Sequence, residues 1–191
     1  MRIKDAIKES ILTKQRILAD ENLVETITNV ANLCTEAFCD GNKVLFCGNG
    51  GSAADAQHLA AEFSGRFGYD RAPLPSEALH VNTSYLTAVA NDYSFEQVYS
   101  RMLRAIGKEG DVLIAISTSG NSANILKALD TARDMGIITV GFTGQSGGKM
   151  KELCDYLVNV PSGETPRIQE AHIMIGHIIC EFVESTIFPK K

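Results

Sequence analysis

The stretch GDVLIAISTSGNS (110–122) decides the fold of this 191-residue chain. An apolar run ends here in a loop of serine, threonine and glycine, and apolar residues at helical spacing follow, from Ile125 to Ala132. This order is typical of a strand, a loop and a helix. Residues 117–122 are called the serine loop below.

The same order occurs earlier in the chain. KVLFC (43–47) leads into the glycine loop, residues 48–52, and a helical pattern covers 53–63. It occurs again later, where IITVGFT (137–143) precedes a glycine-rich loop and a short helix. Further strands are predicted at 78–81 and 156–160, and further helices at 84–91 and 95–106. Alternating strands and helices predict an α/β fold with a parallel sheet covered on both faces.

Helices are predicted at both ends of the chain. Residues 1–40 have the pattern of two helices with a break near 19–22, and Gly41-Asn42 ends the second helix. Thr165-Pro166 is predicted to be the N-cap and first residue of the last helix. That helix is apolar over most of its circumference, so it has to be covered on several sides. With the N-terminal pair it suggests a subunit interface, and the alternative is a core helix within a monomer.

Composition excludes several classes of protein. The formal net charge of -5 argues against nucleic-acid and anionic-membrane binding, which favour clustered lysine and arginine. No apolar run is long enough to span a bilayer, and the charged N-terminal segment is unlike a signal peptide. The five cysteines form no CxxC pair and lie mostly among apolar residues. We therefore expect a cytosolic protein with reduced thiols.

The glycine loop matches the dinucleotide fingerprint GxGxxA through Gly48, Gly50 and Ala53. That fingerprint also needs an acidic residue at the end of the following strand. Asp70 has about the right spacing, but it lies in GYDRAPLP, which is a turn sequence. We therefore do not expect a nicotinamide cofactor.

The serine loop carries hydroxyl groups suited to a phosphate monoester, because such groups and backbone amides at a helix start can surround an anion. No P-loop lysine follows, which argues against a nucleoside triphosphate. The alternative is that the loop merely caps the next helix, although one hydroxyl is enough for that. The four hydroxyls belong to Ser117, Thr118, Ser119 and Ser122.

Two pairs of polar residues could carry chemistry. His58 and Glu62 are four residues apart on one helix, so they share a face and could hold a metal or transfer a proton. Gln169 and His177 lie about two turns apart on the last helix. The alternative for His177 is a satisfied core histidine among isoleucines, and His172 is predicted to be structural.

Five segments together resemble the phosphoheptose isomerases of the sugar isomerase (SIS) superfamily, and the likeness covers almost the whole chain. They are CGNGGSAADAQHLAAEFSGRF (47–67), VANDYSFEQVYSR (89–101), GDVLIAISTSGNSANILKAL (110–129), FTGQSGGKM (142–150) and RIQEAHIMIGH (167–177). The resemblance implies one SIS domain over 1–191, with a five-stranded parallel sheet between helices. Residues 1–40 would serve oligomerisation, and 41–191 would form the sugar-phosphate-binding core.

The resemblance also implies a reaction and a site. The reaction is the interconversion of sedoheptulose 7-phosphate and D-glycero-D-manno-heptose 7-phosphate, the first step of heptose synthesis for lipopolysaccharide or related surface glycans. The enzyme would be a homotetramer with one Zn²⁺ per subunit and active sites at subunit junctions. The residues implied to bind substrate are Asn49, Gly50, Gly51, Glu62, Asn91, Asp92, Ser117, Thr118, Ser119, Ser122 and Gln169. The implied zinc ligands are His58, Glu62, Gln169 and His177, of which Glu62 would be the general base and His177 its partner acid.

Three alternatives stay open from the sequence. The superfamily also contains the non-catalytic DnaA initiator-associating proteins, which share both loops and an ending similar to Ile187-Phe188-Pro189. Those relatives lack counterparts of Glu62 and His177, so the presence of both residues favours an enzyme. A sugar-phosphate sensor domain is less favoured because no basic helix-turn-helix precedes the domain. An isomerase for another sugar phosphate is the third alternative.

Overall fold

The computed structural model describes residues 2–190 and is built around a parallel sheet. The strands are β1 (Val44–Gly48), β2 (Ser76–Ala78), β3 (Val112–Ile116), β4 (Ile138–Thr143) and β5 (Tyr156–Asn159). They lie in the order β2-β1-β3-β4-β5, and every neighbouring pair is parallel. The predicted α/β fold with a five-stranded parallel sheet is confirmed.

Seven α-helices connect and flank these strands in residues 2–190. They are α1 (Ile3–Ala19), α2 (Glu21–Cys39), α3 (Gly51–Ser64), α4 (Thr83–Asp92), α5 (Val98–Ile106), α6 (Ala123–Asp134) and α7 (Thr165–Ile187). Short 3₁₀ turns cover Phe95–Gln97 and Gly148–Glu152. The N-terminal pair breaks at Asp20, whose carboxylate accepts a hydrogen bond from the Leu23 N–H at 3.0 Å and caps α2. Gly41, with a φ of 75°, lets the chain turn away from α2.

The apolar strands separate two cores, one on each face of the sheet. Phe46 and Ile114 point into a core shared with α2, α3 and α7. Leu45 and Leu113, their chain neighbours, point into a second core shared with α4, α5 and α6. Successive side chains of a strand face opposite sides, so a strand buried on both faces has to be apolar throughout. This is why the strand sequences show continuous apolar runs.

Two predicted boundaries are wrong by one to three residues. β2 ends at Ala78 instead of beginning there, because the Val81 N–H bonds back to the Ala78 carbonyl oxygen at 3.3 Å in a turn that leads to α4. The N-cap of α7 is Glu164 rather than Thr165. Its carbonyl oxygen accepts the Ile168 N–H at 3.0 Å, which makes Thr165 and Pro166 the first two helical residues.

One face of the helical layer is apolar and open. A groove of about 410 Å³ lies between α1, α2 and α7, and its lining includes Leu18, Val24 and Met174. Ile178 of α7 lines the same groove and is 47% exposed. Within residues 2–190, no helix has both the length and the apolar character needed to cross a membrane.

Candidate functional site

His58, Glu62 and His177 form the His/Glu cluster between α3 and α7. The Nε2 atom of His58 lies 3.1 Å from Glu62 Oε1 and 3.1 Å from His177 Nε2. One ligand atom of each residue lies within 4.8 Å of the other two. The two helices approach closely at Gly176, where an added Cβ would come 2.6 Å from Leu59 Cδ2. This close approach brings together two histidines that are 119 residues apart in the chain.

The His/Glu cluster contains more acceptors than a single proton can satisfy. His58 Nε2 carries at most one proton, yet it faces both a carboxylate oxygen and a second imidazole nitrogen. A bound cation among the three atoms would satisfy them together. Two imidazoles and a carboxylate are the donors that Zn²⁺ accepts. The donor set therefore fits the zinc that the resemblance implies.

Gln169 lies on α7, two turns before His177, and its side chain lies against the start of α3. Its Nε2 atom would be 2.5 Å from a Cβ added at Gly51. A side chain at residue 51 would therefore displace the Gln169 carboxamide. The absence of a Cβ at Gly51 lets Gln169 approach the glycine loop.

Asp55 is a member of this region that the sequence interpretation missed. It precedes His58 by three residues on α3, so the two side chains share a face of the helix. Its Oδ2 atom is buried and has no hydrogen-bond partner. Burial raises the pKa of the Asp55 carboxyl, and the nearby His58 and His177 act in the opposite direction. The helical spacing before His58 was the signal that could have identified it.

The glycine and serine loops lie side by side at the carboxyl edge of the sheet. Gly48, the last residue of β1, pairs with Ile116, the last residue of β3. Beyond these residues, the side chains of Asn49 and Asn124 exchange two hydrogen bonds of 2.9 Å. Gly50 adopts a φ of 56°, which favours glycine at this turn. The two loops that the sequence predicted to bind are therefore adjacent.

Three of the helices that begin at this edge have N-termini without side-chain caps. The N-caps of α3, α6 and α7 are Gly50, Ser122 and Glu164, and none of them makes a side-chain cap bond. By contrast, Asp20 and Asn82 cap α2 and α4 with their side chains. Uncapped helix starts leave backbone N–H groups available to an anion. The alternative that the serine loop merely caps α6 is thus not what the structure shows.

The serine loop borders a polar cleft of about 320 Å³. Thr118 and Ser119 line it from one side, and Gln145, Ser146 and Thr165 line it from the other. Within the loop, the hydroxyl oxygens of its first and last residues are 3.1 Å apart. The cleft has the size and polarity of a site for part of a small polar ligand.

Asn91 and Asp92 lie at the exposed C-terminal end of α4. The Asn91 Nδ2 group donates a 2.9 Å hydrogen bond to the Asp92 carboxylate. The contacts within residues 2–190 do not join this pair to the His/Glu cluster.

His172 is buried on the inner side of α7, as expected of a structural residue. Its Nε2 atom lies 3.1 Å from the carbonyl oxygen of Thr143. Burial lowers the pKa of His172 to about 4, so the ring is neutral at physiological pH. It holds α7 against β4 and takes no part in the His/Glu cluster.

A buried ion pair holds the end of α3 that carries Glu62. Arg71 donates from Nη2 to the Glu62 carbonyl oxygen at 2.8 Å and from Nη1 to that of Phe63 at 2.7 Å. Its Nε group pairs with Glu184 of α7 at 3.0 Å, and both side chains are 2% exposed. Burial would raise the pKa of Glu184, but backbone N–H donors and Arg71 outweigh it and keep the pKa below its usual value. Sequence reasoning missed this pair because its members are 113 residues apart.

Replacing Glu184 by Gln should destabilise the protein by about 3–5 kcal/mol at neutral pH, because Arg71 is left buried without its partner charge. The folded-state pKa of Glu184 lies below the unfolded value of about 4.3, so its stabilisation is present above that value and is lost as pH falls through the folded pKa. Chemical denaturation from pH 7 to pH 3 should therefore show the gap between wild type and variant narrowing in acid. Glu181→Gln, an exposed position on the same helix, is the control. A gap that is independent of pH would contradict this role.

Comparisons with known proteins identify the family of the chain. A family model described as "SIS domain" matches residues 9–144. The phosphoheptose isomerase of Aneurinibacillus thermoaerophilus is 59% identical over 189 residues, covering 99% of this chain and 96% of that relative. Among solved structures, phosphoheptose isomerase GmhA from Neisseria gonorrhoeae aligns with a TM-score of 0.90 at 44% identity, covering 96% of this chain and 97% of that one. A phosphoheptose isomerase from Francisella tularensis aligns with a TM-score of 0.92 at 35% identity, covering 96% of both chains.

Proposed function

The chain belongs to the phosphoheptose isomerases of the SIS domain family, and we propose on that basis that it converts sedoheptulose 7-phosphate to D-glycero-D-manno-heptose 7-phosphate. It is an isomerase that interconverts a ketose phosphate and an aldose phosphate. The observation that carries the proposal is the His/Glu cluster, in which a carboxylate and two imidazoles converge between α7 and α3, the helix that follows the glycine loop. We extend the proposal to heptose synthesis for lipopolysaccharide or related surface glycans.

The two loops divide the binding of the substrate. In the proposed complex, the serine loop holds the phosphate through its four hydroxyls and the free N–H groups at the start of α6. The glycine loop holds the sugar beside the His/Glu cluster through Asn49, Gly50 and Gly51. Glu62, Gln169 and the pair Asn91 and Asp92 complete the set that we propose to bind substrate.

Proton transfer is assigned to Glu62 and His177. The isomerisation moves a proton between C1 and C2 through a cis-enediol, so one group has to accept a carbon-bound proton and return it to the neighbouring carbon. The Glu62 carboxylate can do this. The His177 imidazole can donate protons to the sugar oxygens and accept protons from them. The Arg71 contact holds the backbone of α3 at Glu62.

We propose that His58, Glu62, Gln169 and His177 hold one zinc ion per subunit. The proton count at His58 Nε2 and the nitrogen and oxygen donors support this proposal. When bound, zinc would act as a Lewis acid that stabilises negative charge on the sugar oxygens. A Glu62 carboxylate that also binds the ion is a weaker base than a free one, so the two roles of this residue compete.

The apolar groove between α1, α2 and α7 supports the proposal of a homotetramer. Several large apolar side chains of the same three helices are exposed in the single subunit: Ile3, Ile7, Ile11, Leu18, Val24, Ile178 and Phe182. Apolar patches of this kind mark contacts with other chains. In this proposal residues 1–40 serve oligomerisation and 41–191 form the sugar-phosphate-binding core. The free thiols of all five cysteines support a cytosolic location.

The DnaA initiator-associating alternative is not supported. The relatives reported above are named phosphoheptose isomerases at 35–59% identity over nearly full length. The His/Glu cluster is also complete. An isomerase for another sugar phosphate differs from the proposal in substrate and not in chemistry.

A substrate panel tests the proposed function. Purified zinc-loaded protein is assayed for aldose formation from sedoheptulose 7-phosphate, fructose 6-phosphate and ribulose 5-phosphate. We expect kcat/KM for the heptulose phosphate to exceed the others by at least about 100-fold, since polar groups placed for a longer chain are left unpaired by a shorter one. A higher kcat/KM for fructose 6-phosphate or ribulose 5-phosphate would show that the proposed substrate is wrong.

A further inference from the structure

We propose that Asn124 is a positioning residue that fixes the separation of the glycine and serine loops through the side chain of Asn49. The effect of this contact on catalysis rests on the proposed function. The contact itself is independent of that function. Asn124 lies in the first turn of α6, directly after the serine loop, and Asn49 lies in the glycine loop. The pair is a cross-link between the two loops that we propose to hold opposite ends of the substrate.

The two carboxamides form a reciprocal pair. Asn49 Nδ2 donates to Asn124 Oδ1 at 2.9 Å, and Asn124 Nδ2 donates to Asn49 Oδ1 at 2.9 Å. Asn124 is 3% exposed, so its bonds are shielded from competing water. The partners are 75 residues apart, which makes this a tertiary contact and not a local turn. Two shielded hydrogen bonds between the same pair of side chains hold their two segments in one relative position.

Neighbouring contacts keep each end of the pair in place. The buried hydroxyl of Tyr99 donates to the carbonyl oxygen of Gly48, the residue before Asn49. On the other side, the Ser117 and Ser122 hydroxyls are 3.1 Å apart and close the serine loop next to Asn124. The pair therefore joins two segments, each of which is held by a further hydrogen bond.

The pairing changes the role of Asn49 in the site. One donor hydrogen and one acceptor position of its carboxamide are used by Asn124, so the side chain acts as a strut between the loops. The backbone N–H groups of the glycine loop remain available to contact the sugar. Loss of the strut would let the phosphate end and the reacting end of the substrate shift relative to each other, which weakens catalysis.

A double-mutant cycle tests the strut. Asn49→Ala, Asn124→Ala and the double variant are compared for kcat/KM and for the dissociation constant of inorganic phosphate. Each single variant should lose about tenfold in kcat/KM, and the double variant should lose no more than either, because both changes remove the same contact. If Asn124→Ala folds poorly, the isosteric Asn124→Asp takes its place. It replaces a donor by an acceptor and should show the same loss of about tenfold in kcat/KM. Thr131→Val, a buried change elsewhere on α6, is the control and should leave both readouts unchanged.

The cycle has outcomes that overturn the inference. If Asn49→Ala is much more damaging than Asn124→Ala and the two losses multiply, Asn49 binds the ligand directly and the strut is wrong. If Asn124→Ala and Asn124→Asp both behave as wild type, the strut is also wrong. A wild-type protein that binds phosphate but does not isomerise would reject the proposed function, and the phosphate dissociation constants would still decide the strut.

Discussion

Replacing Glu62 by Gln is expected to lower kcat for isomerisation by about 10²–10⁴-fold, the usual contribution of a general base. Gln has nearly the same shape, so it can still accept a hydrogen bond from His58, but it cannot take a carbon-bound proton. Substrate affinity should change far less than kcat. Steady-state assays with sedoheptulose 7-phosphate, with zinc content determined for each preparation, measure both quantities.

The control for Glu62→Gln is Glu181→Gln, which removes an exposed carboxylate from α7, one turn after His177. It should retain wild-type kcat, so that a loss in Glu62→Gln is not a general effect of charge. If Glu62→Gln retained more than a tenth of wild-type kcat with full zinc occupancy, another group would have to be the base.

Replacing His58 by Ala is expected to lower zinc affinity by at least about 10–100-fold, because the loss of a direct ligand should cost no less than the loss of an outer-shell partner. Wild-type protein should bind one zinc per subunit in a competition titration against a coloured chelator. Removal of the metal by chelation should abolish turnover, and added zinc should restore it in the wild type. The fold should persist, since His58 is exposed on α3.

His80→Asn is the matched control for His58→Ala. His80 is half-buried outside the cluster and its Nδ1 atom has no hydrogen-bond partner, so its loss should leave zinc affinity unchanged. Equal zinc affinity in His58→Ala and wild type would show that His58 is not a ligand.

The parallel sheet was predictable because strands buried on both faces need continuous apolar sequences. Both loops that we propose to bind substrate could be located for the same reason, since each follows such a strand. β2 was placed less well: it is a three-residue edge strand, and its apolar neighbours Leu79 and Val81 belong to the turn that follows. The polar spacing of His58 and Glu62 indicated one half of the cluster, because it depends on helix geometry alone.

Contacts between distant segments could not be predicted from spacing. The approach of His177 to His58 depends on how α7 packs on α3 at Gly176, and the sequence supported it only through family resemblance. The Arg71–Glu184 pair and the Asn49–Asn124 pair likewise join residues far apart in the chain. In each case the residue types are ordinary, and only the folded geometry shows what they do.

The open apolar surface fits the expectation from the sequence of α7. A helix that is apolar over most of its circumference needs cover on several sides, and the single subunit leaves Ile178 and Phe182 partly exposed. The exposed apolar residues of α1 lie in the same layer. We propose that contacts between subunits bury the exposed apolar residues of both helices.

The most direct test of the account is proton NMR of sedoheptulose 7-phosphate incubated with zinc-loaded enzyme in deuterium oxide. We predict that the aldose appears with deuterium at C2, because the proton taken by Glu62 exchanges with solvent before it returns. Glu62→Gln should show neither aldose nor exchange. Binding of the sugar, detected as protection against thermal unfolding, with no exchange at C1 and no aldose would contradict the isomerase mechanism.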